Sequence, residues 1–260
     1  MSSCREIFDG LSPEAGTNTG LWLDRGLQEP DRKGSWKQNH FAKLDSIKIP
    51  NEYEMFFDRW KAALQGLSPY TILAKAMVIG RMAVGLGAES ILETSITLHR
   101  TYGVPYIPGS ALKGLAAATA HQGLEDESWR KARDGVKIGE SQRVMFGDTE
   151  SSGYVTFHDA LWIPTGKRLP LDLDVMTVHH PQYYQATNNP PPPTDWDNPN
   201  PVTFLSARGT YLLAITGPED WTRAALGILK EALARDGVGA KTAAGYGRMS
   251  VTELTAPARE

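Results

Sequence analysis

The sequence predicts an α+β fold. Its 260 residues alternate between short stretches rich in β-branched and aromatic residues and two longer stretches with apolar residues at helical spacing. The order of the core stretches is strand, strand, helix, several strands, helix, glycine-rich loop and strand. This order is typical of a split βαβ, ferredoxin-like (RRM-like) unit that has been enlarged by a long insertion.

We expect one domain, 1–260, with four parts. Residues 1–70 form an N-terminal extension that contains a helix, and the first half of the core follows it. Residues 122–201 form an insertion that ends in an extended proline-rich loop. Residues 202–254 supply the last strands, the second core helix and the glycine-rich loop.

Two helices are predicted in the N-terminal extension. Leu21, Trp22 and Leu23 indicate a short helix within 18–26. A longer helix follows, for which we expect Asn51 as N-cap and Glu54 as its capping-box partner. The apolar stripe of this helix is expected to be buried, and it consists of Phe56, Trp60, Ala63, Leu64 and Leu67.

The core begins with two predicted strands and a helix. The apolar stretch 72–86 is expected to be a strand that ends in a glycine turn at 85–87. The alternating stretch 95–102 is expected to be the second strand. An alanine-rich helix over 111–120 follows, with Ser110 as N-cap.

The rest of the core is predicted from similar patterns. A charged stretch over 122–137 is expected to be an exposed helix and loop, and 188–201 an extended loop anchored by Trp196. Acidic residues at 219 and 220 mark the start of the second core helix, and Gly237 its left-handed C-cap. Strands are predicted over 154–163, 169–176, 202–205, 210–216 and 248–254.

The composition limits the possible functions. Net charge is −3, so a broadly basic nucleic-acid surface is not indicated. The single cysteine, Cys4, excludes an internal disulfide and is typical of a reducing cytoplasm. We expect neither a membrane span nor a secretory signal, because the apolar runs are too short. No cofactor or metal is predicted.

The stretch 236–249 is the most distinctive in the chain. Its glycines allow left-handed backbone and a close approach to a ligand, while Lys241, Arg248, Thr242 and Tyr246 add charge, a hydroxyl and a ring. These groups together suit a phosphodiester chain. The alternative is a long glycine-rich turn between a helix and a strand.

Two phosphate-loop templates do not fit this stretch. In a nucleotide P-loop the Lys-Thr pair follows a glycine, but Lys241 follows Ala240, and Arg235 stands where the first glycine belongs. The dinucleotide fingerprint fails as well, because Thr242 occupies the place of its third glycine. Both templates also require a strand before the loop, whereas a helix is expected here.

Several motifs resemble a known family. The segment Pro-Tyr-Ile-Pro-Gly-Ser-Ala-Leu-Lys-Gly over 105–114 and the glycine-rich stretch 239–247 are similar to the two signature segments of the RAMP proteins (repeat-associated mysterious proteins) of CRISPR effector complexes. The segments 18–24, 174–184 and 193–202 are similar to the family of sixth Cmr subunits of type III-B systems. Val178 departs from that family, where a proline is expected.

The resemblance implies a single RAMP domain in a crRNA-guided complex that supports cleavage of target RNA in antiviral defence. Its partners would be crRNA, target RNA and other Cmr subunits, namely the backbone RAMP subunit, the terminal RAMP subunit and the small helical subunit. The implied position is the 3′ end of the guide, and the implied role is non-catalytic. The residues expected to bind RNA are Ser110, Lys113, His179, His180, Gly239, Lys241, Thr242, Gly245, Tyr246 and Arg248.

Two enzymatic alternatives remain open at this point. A metal-independent endoribonuclease that processes CRISPR RNA would use His179 or His180 as acid or base, because histidine titrates near neutral pH. A metal nuclease would use Asp172 and Asp174, which share one face of a strand. For RNA binding there are three weaker candidates, Arg81, Arg100 and Arg208. They are weaker because an arginine on a strand is usually only solvated.

Overall fold

A computed structural model describes residues 11–27, 36–132, 137–178, 192, 194 and 200–254. Six α-helices occur in these ranges: α1 Thr19–Arg25, α2 Trp36–Ala42, α3 Asn51–Leu67, α4 Gly109–Gly123, α5 Glu140–Phe146 and α6 Glu219–Arg235. Short 3₁₀ helices lie at Lys43–Ser46, Glu127–Trp129 and Thr242–Ala244. None of the helices in the described ranges combines the length and apolar character that a bilayer crossing needs.

Eight strands occur in the same ranges: β1 Ile72–Val78, β2 Tyr106–Ile107, β3 Thr156–Phe157, β4 Ala160–Trp162, β5 Leu171–Val178, β6 Asn200–Ala207, β7 Thr210–Thr216 and β8 Met249–Glu253. The main sheet has the order β2-β4-β7-β1-β8, and β3 also pairs with β7. All of these pairs are antiparallel. The central strand β1 aligns Ala74 with Leu213 of β7 and with Glu253 of β8.

This arrangement confirms the predicted α+β class. The path β1, α4, β4, β7, α6, β8 has the order of a βαββαβ unit, which is consistent with a ferredoxin-like core. The hairpin of β5 and β6 forms a separate two-stranded sheet inserted between β4 and β7.

Helices cover both faces of the main sheet. On one face, α4 and α6 pack against each other and against the sheet, so that Leu112, Ala116 and Leu229 share a buried cluster with Ala74, Ala76, Leu213 and Ile215. On the other face, α3 buries Phe57 and Leu64 against Leu73, Leu161, Leu212 and Ala214. Burial on alternate faces along β1 and β7 follows from the two-residue period of a strand.

Two predicted helix starts are wrong by one or two residues for the same reason. Pro50 is the N-cap of α3 and Pro108 is the N-cap of α4, and neither helix start has a side-chain cap hydrogen bond. Asn51 and Ser110 therefore lie inside the first turn. Pro50 lies one residue before Asn51 and Pro108 two residues before Ser110, and each proline has the extended backbone that an N-cap requires.

The predicted stripe of α3 is also partly wrong. Tyr53, Phe57 and Leu64 are buried, whereas Ala63 is exposed and Leu67 is 60% exposed. Tyr53 is the most important omission, because its hydroxyl donates to the carbonyl of Trp162 and so joins α3 to β4. Burial raises the pKa of this phenol well above its ordinary range.

The stretch 95–102 does not form the predicted second strand. It is irregular, with an isolated bridge between Leu98 and Pro105, and the sheet takes the short strand β2 in its place. The stretch 72–86 is a strand only to Val78, because Gly80 and Gly85 have positive φ. His158 and Asp159 divide the predicted strand 154–163 into β3 and β4.

Candidate nucleic-acid interface

The glycine loop, residues 236–248, connects α6 to β8. Gly237 has φ +78° and donates its N–H to the carbonyl of Ala232, as expected for a left-handed residue after a helix. Gly247 has φ +76°, and a Cβ there would overlap the carbonyl oxygen of Val238. Both ends of the loop therefore require glycine, for conformation and for space.

The middle of the loop contains a left-handed lysine. Lys241 has φ +59° and precedes the 3₁₀ turn Thr242–Ala244, which ends at Gly245 with φ +89°. The carbonyl of Lys241 accepts from the N–H groups of Ala244 and Tyr246. A left-handed conformation is unfavourable for a residue with a Cβ, so the loop places this lysine against a local preference.

The loop uses much of its backbone bonding capacity on the chain itself. Ala240 donates to Ala83 at 2.7 Å and Gly247 donates to Arg81 at 2.8 Å, while Val238 donates to Gly247 at 2.9 Å. These bonds hold the loop against the segment that follows β1. Within the described residues the N–H groups of Lys241, Thr242 and Ala243 have no acceptor, so a phosphate at this loop can be bound by these amides as well as by side chains.

Four of the predicted side chains lie together on this loop. Lys241 and Thr242 are half-buried and Arg248 is exposed. The ammonium of Lys241 lies 5.9 Å from the centre of the Phe204 ring, and the Tyr246 ring lies 5.8 Å from that same ring. Phe204 of β6 is fully buried and gives these two side chains a common support.

A polar network beneath the loop was not predicted. Asp174 of β5 accepts from the Arg81 guanidinium at 2.9 Å and from the Ser206 hydroxyl at 2.6 Å. Tyr246 is bonded to the same carboxylate. The pKa of the Tyr246 phenol is raised, mainly by burial. The charge of Asp174 and the hydrogen bond to it raise this pKa further. The network joins the β5–β6 hairpin to the glycine loop.

The sequence contained one signal for this network. Aspartates at 172 and 174 alternate on β5 with leucines and a valine, which shows that one face of the strand is polar. Nothing in the spacing identifies the partners, because Arg81 is 93 residues away from Asp174 along the chain. Only the fold brings them together.

The same geometry gives both aspartates of the metal-nuclease alternative an arginine partner. Asp174 is paired with Arg81, and Asp172 is paired with Arg208 at 3.2 Å. Within the described ranges, no group of three or more His, Cys, Asp or Glu side chains could hold a metal ion. Both aspartates therefore act as anchors for arginines, and these two arginines are not simply solvated.

The first turn of α4 lies apart from the glycine loop. Thr119 of α4 donates to Asp236 at the start of the loop, but Ser110 lies nine residues earlier, roughly 13 Å along the helix axis. Among the described residues, neither the Ser110 nor the Lys113 side chain bonds to the loop. The N–H of Gly109 donates to Asp159 at 2.7 Å, so a carboxylate already occupies this helix end.

His179 and His180 lie outside the described residues, and so does Trp196. Their predicted contribution to RNA binding, to catalysis or to loop anchoring stays a prediction. The structure thus brings together Gly239, Lys241, Thr242, Gly245, Tyr246 and Arg248, and places Ser110 and Lys113 elsewhere.

Comparison with known proteins identifies relatives of the whole core. Residues 75–250 match the RAMP superfamily. The CRISPR system Cmr subunit Cmr6 of Pyrococcus furiosus is 31% identical over an alignment of 285 residues, which covers 88% of this chain and 83% of that protein.

One solved structure agrees at the level of the fold. A chain of the cryo-EM structure of the type III-B Cmr-beta bound to cognate target RNA matches with a TM-score of 0.62 at 17% identity, and the match covers 98% of this chain and 90% of that chain. The crystal structure of Cmr6 from Pyrococcus furiosus is 33% identical, with a TM-score of 0.43, over 69% of this chain and 97% of that chain.

Proposed function

The chain belongs to the RAMP superfamily and to the family of the Cmr6 subunit, and on this premise we propose that it is an RNA-binding structural subunit of a type III-B CRISPR effector complex. The relative from Pyrococcus furiosus is described as a subunit of the CRISPR Cmr system. The most similar fold reported above comes from a type III-B complex bound to target RNA.

The observation that carries the proposal is the construction of the glycine loop. Its backbone is fixed by bonds to Ala83 and Arg81, and it holds Lys241 in a left-handed conformation beside the exposed Arg248. A fixed loop with two cations and a hydroxyl at its surface can position phosphates of a single strand. The net charge of −3 means that this contact must be local.

We infer that the RNA is the crRNA guide with its paired target, and that the chain lies at the 3′ end of the guide. The chain would act as one RAMP domain over 1–260. It would contact the backbone RAMP subunit, the terminal RAMP subunit and the small helical subunit. Cleavage of target RNA would be performed elsewhere in the complex.

A pull-down from the native host tests this proposal directly. The chain carries an affinity tag, and the co-purifying proteins and RNA are identified and sequenced. We expect Cmr subunits together with short RNAs that contain CRISPR repeat sequence. Recovery of the tagged, folded chain without RNA and without any RAMP partner would contradict the proposal.

The non-catalytic role has its own test. We incubate the purified chain with labelled repeat RNA in EDTA, which removes metal ions and leaves histidine-based cleavage possible. We expect intact RNA. Specific cleavage that disappears in His179→Ala or His180→Ala would assign the chain to the endoribonucleases instead.

A further inference from the structure

A second surface on the molecule combines aromatic rings with histidines and is separate from the glycine loop. Its rings come from α3, from the irregular stretch 99–102, from the first residue of β2 and from the bend between β3 and β4. All six are half-buried, and we call them the ring row: Phe56, Trp60, His99, Tyr102, Tyr106 and His158.

Ring contacts connect the members of the ring row without a gap. Phe56 stacks on Trp60 with 6.5 Å between ring centres, and Trp60 meets the edge of His158 at 6.5 Å. In the other direction Phe56 lies 5.2 Å from His99. The ring centre of His99 lies 5.0 Å from that of Tyr102 and 6.4 Å from that of Tyr106.

Two polar groups of the ring row are free to bind a ligand, the Nε2–H of His99 and the hydroxyl of Tyr106. The Nδ1 atom of His99 accepts from the N–H of Thr101 at 3.3 Å, which leaves the proton of the neutral ring on Nε2. Burial lowers the pKa of His99 and favours this neutral form. The Tyr106 hydroxyl forms no hydrogen bond in the described part of the chain, whereas the Nε1 atom of Trp60 is buried and is not accessible to a ligand.

The exposed carboxylate of Asp159 lies beside these rings. One of its oxygens accepts from the N–H of Gly109, so the other remains available. Burial raises the pKa of Tyr106, and the charge of Asp159 raises it further. Burial lowers the pKa of His99 and of His158, and the charge of Asp159 opposes both of these shifts. Asp159 therefore adds an acceptor to a surface that otherwise offers donors.

We propose that the ring row and Asp159 bind an unstacked base of single-stranded RNA. Half-exposed rings with donors and an acceptor at their edges are the groups that stack on a splayed base and hydrogen-bond to its edge. This inference rests on the proposed function and adds a base contact to the phosphate contact of the glycine loop.

The chemistry of the surface favours RNA over a protein partner. Aromatic rings are common at protein interfaces as well as at RNA sites, but the ring row also presents ring N–H and O–H groups and a carboxylate, which match the polar edge of a stacked base. Lys113, predicted from the sequence to meet a phosphate, lies one turn into α4, the helix whose first N–H binds Asp159.

Ultraviolet crosslinking in the assembled complex tests the proposal. The chain is co-expressed with its Cmr partners and the guide, the purified complex is irradiated with and without target RNA, and crosslinked peptides are mapped by mass spectrometry. We expect nucleotide adducts on peptides that contain Tyr102, Tyr106 or His99. Adducts present without target identify the guide as the source of the base, and adducts that require target identify the target.

Substitution of Tyr106 gives a quantitative measure. Tyr106→Ala should weaken RNA association by about 5- to 150-fold, the equivalent of one lost stacked base, and Tyr106→Phe should retain most of the affinity. The slope of log affinity against log salt should stay unchanged, because stacking releases no counterions. Tyr154→Ala is the matched control, since Tyr154 is 63% exposed and lies outside the ring row.

Three results would overturn the inference. One is a guide-containing complex whose adducts map only to the glycine loop. Another is wild-type RNA affinity in a folded Tyr106→Ala variant. The third is a Tyr106→Ala variant that loses a protein subunit but retains the guide, which would make the ring row a protein contact. Absence of any guide from the wild-type complex would instead contradict the proposed function itself.

Discussion

Arg81 and Asp174 form an ion pair of 2.9 Å that joins the segment after β1 to the β5–β6 hairpin. The same arginine supplies the carbonyl that accepts from Gly247 at the end of the glycine loop. Asp174 also bonds Ser206, which is fully buried, and Tyr246. The carboxylate of Asp174 thus fixes the β5–β6 hairpin, the glycine loop and the segment after β1 relative to one another.

Asp174→Ala should lower the free energy of unfolding by roughly 1–3 kcal/mol, because it removes the shared acceptor of three side chains. Chemical denaturation of the purified chain measures the loss. Asp58→Ala, which removes an exposed carboxylate of α3, should change stability by less than about 0.5 kcal/mol. Equal effects of the two substitutions would show that the network does not stabilise the fold.

Gly247→Ala and Gly245→Ala form a matched pair within the glycine loop. Both residues are left-handed, with φ +76° and +89°, but a Cβ at 245 meets nothing within 4 Å, whereas one at 247 overlaps Val238. We expect Gly245→Ala to cost about 1 kcal/mol and Gly247→Ala about 3 kcal/mol or more. Thermal or chemical unfolding distinguishes them. Similar losses would mean that the loop is open enough to accept a side chain.

Lys241→Gly separates stability from RNA binding. Glycine removes the roughly 1–2 kcal/mol cost of a left-handed L residue. It also stabilises the unfolded state by roughly 0.5–1 kcal/mol through chain entropy, so the free energy of unfolding should stay equal or rise by up to about 1.5 kcal/mol. Guide retention should fall, because the ammonium is lost. A variant that is more stable and still binds RNA normally would show that Lys241 does not contact RNA.

Stability should decrease as the pH falls below 6.5, the ordinary pKa of histidine. Burial, and then the charge of Lys43, lower the pKa of His40 in the folded protein. Below pH 6.5 the unfolded chain takes up a proton that folded His40 does not, so the free energy of unfolding falls until the folded pKa is reached.

His40→Phe isolates this contribution. The phenyl ring can keep the stacking on Trp22, where the ring centres are 4.8 Å apart, and it cannot titrate. We expect a shallower loss of stability between pH 7 and pH 5 than in the wild type, with little change of slope above pH 7. Parallel pH profiles for the two proteins would show that His40 is not responsible.

The fold class was predictable because periodicity along the chain reports which face of an element is buried. The α6 helix, the strands β6 and β7 and the left-handed Gly237 all follow from such local patterns. The stretch 95–102 shows the limit. Its alternation is that of a strand, but in the fold it forms an irregular turn whose His99 and Tyr102 pack against Phe56.

The candidate site was predictable only in part. The glycines and cations of the loop are adjacent in the sequence and could be identified there. The left-handed conformation of Lys241 could not, because lysine has no preference for it. The support from Phe204 and Asp174 and the whole ring row depend on contacts between distant segments, which no local pattern encodes.

The salt dependence of guide association tests the central claim most directly. The wild type and the Lys241→Ala/Arg248→Ala double variant are compared over a series of salt concentrations, as the assembled complex or the isolated chain. If both cations contact RNA phosphates, the double variant binds more weakly and its slope of log affinity against log salt decreases by roughly 1.4, or about 0.7 for each lost contact. Weaker binding with an unchanged slope, or unchanged binding, would contradict the claim that the glycine loop holds the RNA backbone.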